Sequence, residues 1–492
     1  MEDSSVNLII DLHNKRMNPI IETVSEITLT VKDVEKLETE LAEYSQIYQG
    51  LFSRREQKEQ YAIYLEGLMS ELPNKSVETM ILHQKGDDPQ AIRNMQHFLS
   101  EGSWQDQAIL RQHWREVSQD LGEENGVIIA DSSGFPKQGK DSVGVKRQWC
   151  GQLGKTANCQ VGVFLSYASQ YGYTLLNRRL YLPQEWVEDK AYAERFTKCG
   201  IPKETTFKTQ PTLALEMIEE VKAEAVLPFR WLTCDEAFGR DTAFLDQVGQ
   251  LVYYFAEVPQ DTNVWRHRPQ TAVPQPKSKQ GRKPTRVQLV AGEPPAQSVV
   301  EIAANLTADN WSRHTIKEGS KGPIIADFAC LRVVAVRNRL PGPDVWLIIR
   351  RDVADGELKF FLSNAPLDTP LATFVWLSGM RWPVETCFEH GKQEIGLGDY
   401  QVRSWTGWHH HMTLCILAHF FLVRIQLRLK DKAPKLTLPQ AILLLKAALA
   451  QPQPDPARAI DILIYYQRRH EAAYRSHRKR RLAKYHESEV SL

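Results

Sequence analysis

The chain has no strong overall charge: 61 Lys and Arg stand against 60 Asp and Glu, leaving +1 over 492 residues. A uniformly basic coat is therefore excluded, and any contact with a polyanion has to come from local patches. Cysteine is scarce and unpatterned. Seven are scattered with no Cys-x-x-Cys pair, which argues against a disulfide framework or a zinc knuckle and for a reducing, cytoplasmic compartment. The start, Met-Glu-Asp-Ser-Ser, lacks the basic n-region of a secretory signal. Long apolar runs are missing too. The most apolar segment, 412–423, contains His419 and is too short to span a bilayer, so it reads as a buried helix and no membrane is expected. No internal repeat is found. What remains is an ordinary soluble composition, 42% hydrophobic and 25% charged, long enough for roughly two to four domains.

The most informative stretch is Gly126-Val-Ile-Ile-Ala-Asp131-Ser-Ser-Gly-Phe-Pro136. Residues 127–130 are apolar, mostly β-branched and bounded by glycines, which predicts a buried strand. Asp131 stands at its end, held rigidly where a metal ion or substrate can meet it; an Asx turn before Gly134 and Pro136 is the alternative. A similar pattern recurs at 229–239, where an apolar run ends in Cys234-Asp235-Glu-Ala-Phe-Gly239. Two strands ending in Asp suggest carboxylates meeting at one sheet edge. A third acid lies in Arg381-Trp-Pro-Val-Glu385-Thr-Cys-Phe-Glu389-His-Gly-Lys392. On a helix Arg381, Glu385, Glu389 and Lys392 share one stripe, which alone would also suit a solvated face.

The rest of the chain sorts by texture. Residues 1–125 read as helical: Val34, Leu37, Leu41, Tyr44, Tyr48 and Leu51 follow amphipathic spacing, and this region would serve DNA binding, dimerisation or plain packing. Residues 126–259 alternate strands and helices, an α/β pattern. Residues 262–292 contain no acid but hold Arg266, Arg268, Lys277, Lys279, Arg282, Lys283 and Arg286 among four prolines. That is a flexible basic loop suited to a DNA backbone, or a solvated linker. Strand-like runs at 331–336, 345–349 and 358–362 form a second β region. Helices are expected at 369–395, 408–429 and 438–449. From 468 to 484 eight Lys or Arg face one acid, Glu471, a basic arm for nucleic acid.

Three further patterns bear on possible ligands. Gly134-Phe-Pro-Lys-Gln-Gly139-Lys140-Asp141 imitates a phosphate-cradling loop, but Asp141 replaces the required Ser or Thr and no helix start follows. His409-His410-His411 point in different directions on a helix and cannot chelate one ion, so they read as packing or DNA-facing residues. Lys137, Lys140, Lys146, Arg147 and Lys155 crowd the turn after Asp131, where they suit a polyanionic substrate or make a solvated turn. Three carboxylates without a His or Cys cluster match a hard cation such as magnesium.

Taken together, residues 60–425 resemble bacterial insertion-sequence transposases of the DDE, ribonuclease-H-like superfamily, in the group with a β-rich insertion between the second Asp and the Glu. The resemblance rests on Asp131-Ser-Ser-Gly-Phe-Pro-Lys, Gly154-Lys-Thr-Ala-Asn-Cys-Gln160, Leu180-Tyr-Leu-Pro-Gln-Glu-Trp186, Cys234-Asp-Glu-Ala-Phe-Gly239, Arg381-Trp-Pro-Val-Glu385 through Lys392, and Gly396-Leu-Gly-Asp-Tyr400. It implies an α/β fold: a ribonuclease-H-like mixed sheet flanked by helices, with a helical N-terminal DNA-binding or dimerisation domain (1–125), a catalytic domain in two parts (126–259 and 369–430), an insertion with the basic loop (260–368), and a basic helical C-terminal region (431–492). It implies that Asp131, Asp235 and Glu385 are catalytic and bind two Mg2+, with Mn2+ able to substitute. Arg381 and Lys392 would hold phosphates, with Ser378 standing where relatives carry Tyr. Lys137, Lys140, Lys146, Arg147, Lys279, Arg282 and Lys283 would bind DNA, and Trp311, rather than Trp346, would stack on a flipped base. The function implied is cutting transposon ends and joining the 3′-OH to target DNA, by a homodimer acting at terminal inverted repeats in the bacterial cytoplasm and nucleoid. A related nuclease without strand transfer and a domesticated DNA-binding protein are the alternatives.

Overall fold

Amphipathic spacing and caps account for the front of the chain. In the computed structural model, which describes residues 27–275, 285–319, 322–449 and 456–489 (side chains of 483–489 excepted), five helices come first. They are α1 Val31–Gln49, α2 Arg55–Leu68, α3 Val77–Lys85, α4 Pro89–Ser100 and α5 Asp106–Leu121. Leu37, Leu41, Tyr44 and Tyr48 form the buried stripe of α1, whereas Leu51 falls beyond its end and is exposed. Asp88 caps α4, its Oδ1 accepting from the amides of Gln90 at 3.0 Å and Ala91 at 2.9 Å, which occupies donors that the first turn cannot satisfy itself.

The strands follow: β1 Val127–Pro136, β2 Lys146–Cys150, β3 Lys155–Ser169 and β4 Gly172–Tyr181, then α6 Gln210–Glu224, β5 Trp231–Cys234, α7 Glu236–Gly239 and β6 Tyr253–Val258. Beyond them come β7 Asn263–Trp265, β8 Ser312–Gly319, β9 Gly322–Arg337, β10 Leu340–Asp352 and β11 Leu358–Ser363. Among the described residues these build one mixed sheet of 12 strands, in the order β7-β9-β10-β11-β6-β5-β1-β3-β2, with Gln297–Ser298 beside β7, β8 on β9 and β4 on β3. The strands β8 to β11 therefore continue the sheet that carries β1 and β5. Only β5 runs parallel to its neighbours, β1 and β6; the other pairings are antiparallel.

Helices cover both faces, and the pleat of β4 decides which. Arg178, opposite Phe164, points to the face where Phe164 packs on Phe388 and Trp408. Asn177 and Arg179, on the alternate pleat, reach Glu220 of α6 on the other face. The C-terminal helices are α8 Leu371–Ser378, α9 Trp382–Glu394, α10 Trp405–Leu429, α11 Leu438–Ala448 and α12 Pro456–Glu489. The single helix expected at 369–395 is two. Gly379 ends α8 where a Cβ would lie 2.8 Å from Ile316, and Pro383, which has no amide to give upstream, opens α9.

The apolar stretch at 412–423 lies inside α10, whose 25 residues are long and apolar enough to cross a bilayer. It is instead packed within the protein, 78% buried over its most apolar window, between β4 and the N-terminal helices. Tyr44 Oη donates to the Leu417 carbonyl at 2.9 Å, and Arg178, paired with Asp106, reaches the His409 carbonyl at 3.4 Å. His409, His410 and His411 are all buried and take separate partners. His410 stacks on Trp104 at 3.5 Å and His411 Nδ1 accepts from Tyr64 Oη at 2.8 Å.

Burial pushes His113 down to about 4, and His411 and His419 to about 3, from an ordinary 6.5. Below pH 6.5 the unfolded chain therefore binds protons that the folded core refuses. Their stabilisation is complete above pH 6.5 and is lost as pH falls toward about 4 and then 3. Urea midpoints should drop steeply between pH 7 and pH 5. His419→Leu should lower the slope of stability against pH by up to one proton, about 1.4 kcal/mol per pH unit. An unchanged slope would place the titrating group elsewhere.

Candidate active site

Strand register assembles the acids. β1 and β5 pair in parallel through Ala130 and Cys234, and β5 and β6 through Cys234 and Ala256. The next row on each strand is Asp131, Asp235 and Glu257. Neighbouring strands lie about 4.8 Å apart and aligned residues of parallel strands share a face, so three carboxylates stand side by side. Asp131 is not at a strand end, because β1 continues to Pro136 along β3. It sits where the β5 partner turns away. Asp131 lies opposite Phe164 and so points to the face covered by α9 and α10.

Local chemistry holds each acid. Asp235 is the N-cap of α7, its Oδ1 accepting from the amides of Ala237 at 3.0 Å and Phe238 at 3.3 Å. Asp131 Oδ1 accepts from the Ser132 amide at 2.6 Å. Burial, then the neighbouring charge of Asp235, pushes Asp131 up to about 7 from an ordinary 3.8. Asp235 is also raised, first by burial, with the helix amides opposing. Two such carboxylates leave surplus negative charge that a hard cation would relieve.

That charge is met by Arg381, at the head of α9. Its Nη2 lies 2.8 Å from Glu385 Oε1, its Nε 3.2 Å from Glu257 Oε2 and its Nη1 4.0 Å from Asp131 Oδ2. Burial would loosen the proton of Arg381, but Glu257, Glu385 and Asp131 outweigh it and hold the guanidinium charged. Glu385 is 47% exposed at the mouth of the site, and its carboxylate is given to Arg381. Among the described residues no three metal-ligating side chains converge on one point as they stand. The oxygen-only donors Asp131, Asp235 and Glu385 nonetheless fit a magnesium-like ion by their chemistry.

Lys392 lies on the same helix, one face of which covers β1. Its Nζ donates to the Gly134 carbonyl at 3.2 Å and sits 5.1 Å above the Phe135 ring; burial lowers it to about 8. Glu389 is exposed and bonded to Gln393. Lys137 donates to the Tyr400 carbonyl at 3.1 Å and covers its ring, and burial lowers it to about 8. Lys146 pairs with Glu185. Lys140, Arg147 and Lys155 are exposed. Trp311 is half-buried with the Arg351 guanidinium 4.2 Å over its ring, and Trp346 packs on Phe374. Ser378 is buried, donating to the Val375 carbonyl at 2.7 Å. Lys277, Lys279, Arg282 and Lys283 lie outside the described residues. Glu257 was not among the expected residues, although it is a lone acid near the end of an apolar run, the same signal that marked Asp131 and Asp235.

Comparison with known proteins bears on this arrangement. The family described as DDE superfamily endonuclease matches residues 47–323, a span that includes Asp131, Asp235 and Glu257 and stops before Glu385. A probable transposase for insertion sequence element IS701 from Microchaete diplosiphon is 26% identical over 200 residues. That alignment covers 40% of this chain, and the chain spans about half (47%) of the length of that relative.

The raised Asp131 has a consequence for stability. Between about pH 4 and 7 the folded state keeps a proton on Asp131 that the unfolded chain has lost, so stability falls as pH rises through that window. Asn carries no such penalty. In chelator-containing buffer Asp131→Asn should melt roughly 2–4 °C above wild type at pH 8 and show little or no gain at pH 4.5. A gain of equal size at both pH values would mean that Asp131 is not held protonated by its surroundings.

Proposed function

The chain belongs to the DDE superfamily of endonucleases, and from that premise we propose that it is an insertion-sequence transposase, cutting the ends of its element and joining the freed 3′-OH to target DNA. The observation that carries this reading is the row of carboxylates on adjacent strands, faced by an Arg and a Glu one turn apart on a helix. Its relation to a probable IS701 transposase supports the DNA substrate. In this reading the sheet from β1 to β6 with its helices is a ribonuclease-H-like core, residues 260–368 are the insertion, the helices before residue 125 serve DNA binding or dimerisation, and residues 431–492 are a basic appendage. The partners are terminal inverted repeats and target DNA, and two subunits act together.

Asp131, Asp235 and Glu385 would hold divalent ions, Mg2+ with Mn2+ as substitute. When bound, such ions make a water or 3′-OH nucleophilic and stabilise charge on the attacking and leaving oxygens. The remaining work falls to the chain. Rigid strands fix Asp131 and Asp235, so reacting groups meet in a set geometry. Arg381 presents its two Nη groups to two phosphate oxygens once Glu385 turns away, the bidentate contact that guanidinium favours. Lys392, over Phe135, adds positive charge beside the scissile phosphate. Lys140, Arg147 and Lys155 contact the DNA backbone with Lys137 and Lys146 behind them, joined by Lys279, Arg282 and Lys283 of the basic loop. Trp311 stacks on a displaced base after Arg351 gives up its face.

Glu385 and Glu389 separate this reading from a plain solvated helix. They lie one turn apart, about 6 Å along the axis. Glu385→Gln should abolish cleavage and strand transfer, a loss of at least roughly a hundredfold, with duplex binding retained. Glu389→Gln should keep measurable cleavage. The assay is a gel with labelled duplexes bearing the inverted repeats that flank the coding sequence, in Mg2+ and in Ca2+. Cleavage without joining would favour a nuclease, and binding without either a DNA-binding protein. An active Glu385→Gln beside a dead Glu389→Gln would move the catalytic acid one turn along.

A further inference from the structure

Glu257 is the acid that the triad leaves over. Its position is fixed by strand pairing and by a close backbone contact. It sits near the end of β6, with its side chain 9% exposed, in register with Phe361 of β11. Its carbonyl abuts Gly239, where a Cβ would come within 1.9 Å of that oxygen. Only glycine lets α7, the helix capped by Asp235, pack so closely. The strand that bears Glu257 and the turn that bears Asp235 are therefore locked to each other.

Both carboxylate oxygens of Glu257 are already engaged. Oε2 meets Arg381 Nε at 3.2 Å and Oε1 meets Lys359 Nζ at 3.2 Å. Two cations on one buried carboxylate leave it with no surplus charge, in contrast to Asp131 and Asp235, which crowd each other. This disfavours Glu257 as a further ion ligand and favours it as an anchor. The three edges of the Arg381 guanidinium are thus unequal. The Nε edge is tied to the sheet, while the Nη edges face Glu385, which is 47% exposed, and Asp131.

We propose that Glu257 is a positioning residue: with Lys359 it pins the Nε edge of Arg381 to β6, so that the two Nη edges stay aimed at the reacting phosphodiester while Glu385 moves. This deepens the transposase reading and rests on it. Without the pin, Arg381 is a long side chain with several rotatable bonds, and an error of about 1 Å at the reacting centre can cost roughly a hundredfold in rate.

The test is a double-mutant cycle on Glu257→Gln and Arg381→Ala, read as single-turnover cleavage of inverted-repeat duplex in Mg2+ and as nicking of supercoiled plasmid in Mn2+. Glu257→Gln should slow cleavage roughly ten- to a hundredfold and change duplex affinity less than about threefold. In the Arg381→Ala background it should cost nothing more, because its effect passes through Arg381. Glu257→Asp, which keeps the charge but shortens the reach, should fall between wild type and Glu257→Gln. A wild-type rate in Glu257→Gln, or the same fold-loss in both backgrounds, overturns the proposal. Should wild type cut neither substrate, the enzymatic reading itself falls. Thermal unfolding of the same four proteins then still decides whether 257 and 381 act as a pair: additive shifts in Tm refute it.

Discussion

One guanidinium compensates the charge on which the site depends. Arg381 faces Asp131, Glu257 and Glu385 at once, with Asp235 beside them. Carboxylates on adjacent strands repel, and burial raises the cost of their charge. The cation across the row, Lys359 on Glu257 and the raised pKa of Asp131 together lower that cost. The helix break at Gly379 and Pro383 places that cation, since Arg381 lies between the end of α8 and the first turn of α9. The same break puts Glu385 one turn further on, paired with Arg381 and 47% exposed.

The frame around the site is rigid for a different reason. β1, β5 and β6 are the parallel part of the sheet, and residues 127–130, 231–234 and 254–258 in them are buried, as parallel strands covered on both faces must be. α10 lies against β4 with most of its side chains buried, and several of its polar groups take internal partners such as Tyr64, Thr174 and Trp104. A core so dependent on neutral histidines is costly to protonate. The scaffold is therefore stiff at neutral pH and vulnerable to acid, while the strain of crowded carboxylates at the site runs the opposite way, growing as pH rises.

Charge is distributed by role rather than by overall balance. Acids and their cation concentrate in the site, Lys392 and Lys137 lie along its flank against aromatic rings, and the exposed cations Lys140, Arg147 and Lys155 surround the turn after β1. At the far end α12 is tied to the N-terminal helices by Arg468–Asp87 and Arg469–Glu78, and its described side chains from 471 to 482 are all exposed. A neutral chain can thus present locally basic surfaces to a polyanion, since screening confines each patch to roughly a Debye length of 8–10 Å.

By itself the sequence determined the elements and the kind of chemistry. Apolar runs ending in Asp131 and Asp235, the spacing of Arg381, Glu385 and Lys392, and the helical front of the chain are local patterns, readable because strand and helix periodicities are local. Tertiary structure decided what those patterns meet. That Asp131, Asp235 and Glu257 form one row depends on the register of β1, β5 and β6, strands about a hundred residues apart in part, and nothing local encodes register between them. Glu257 was therefore missed, although its strand carries the same signal. The division of 369–395 into two helices, the burial of all three residues of the histidine run, and the engagement of Lys137 and Lys146 were likewise set by packing partners distant in the chain. Spacing makes Glu385 the neighbour of Arg381; only the sheet beneath them gives that pair something to act on.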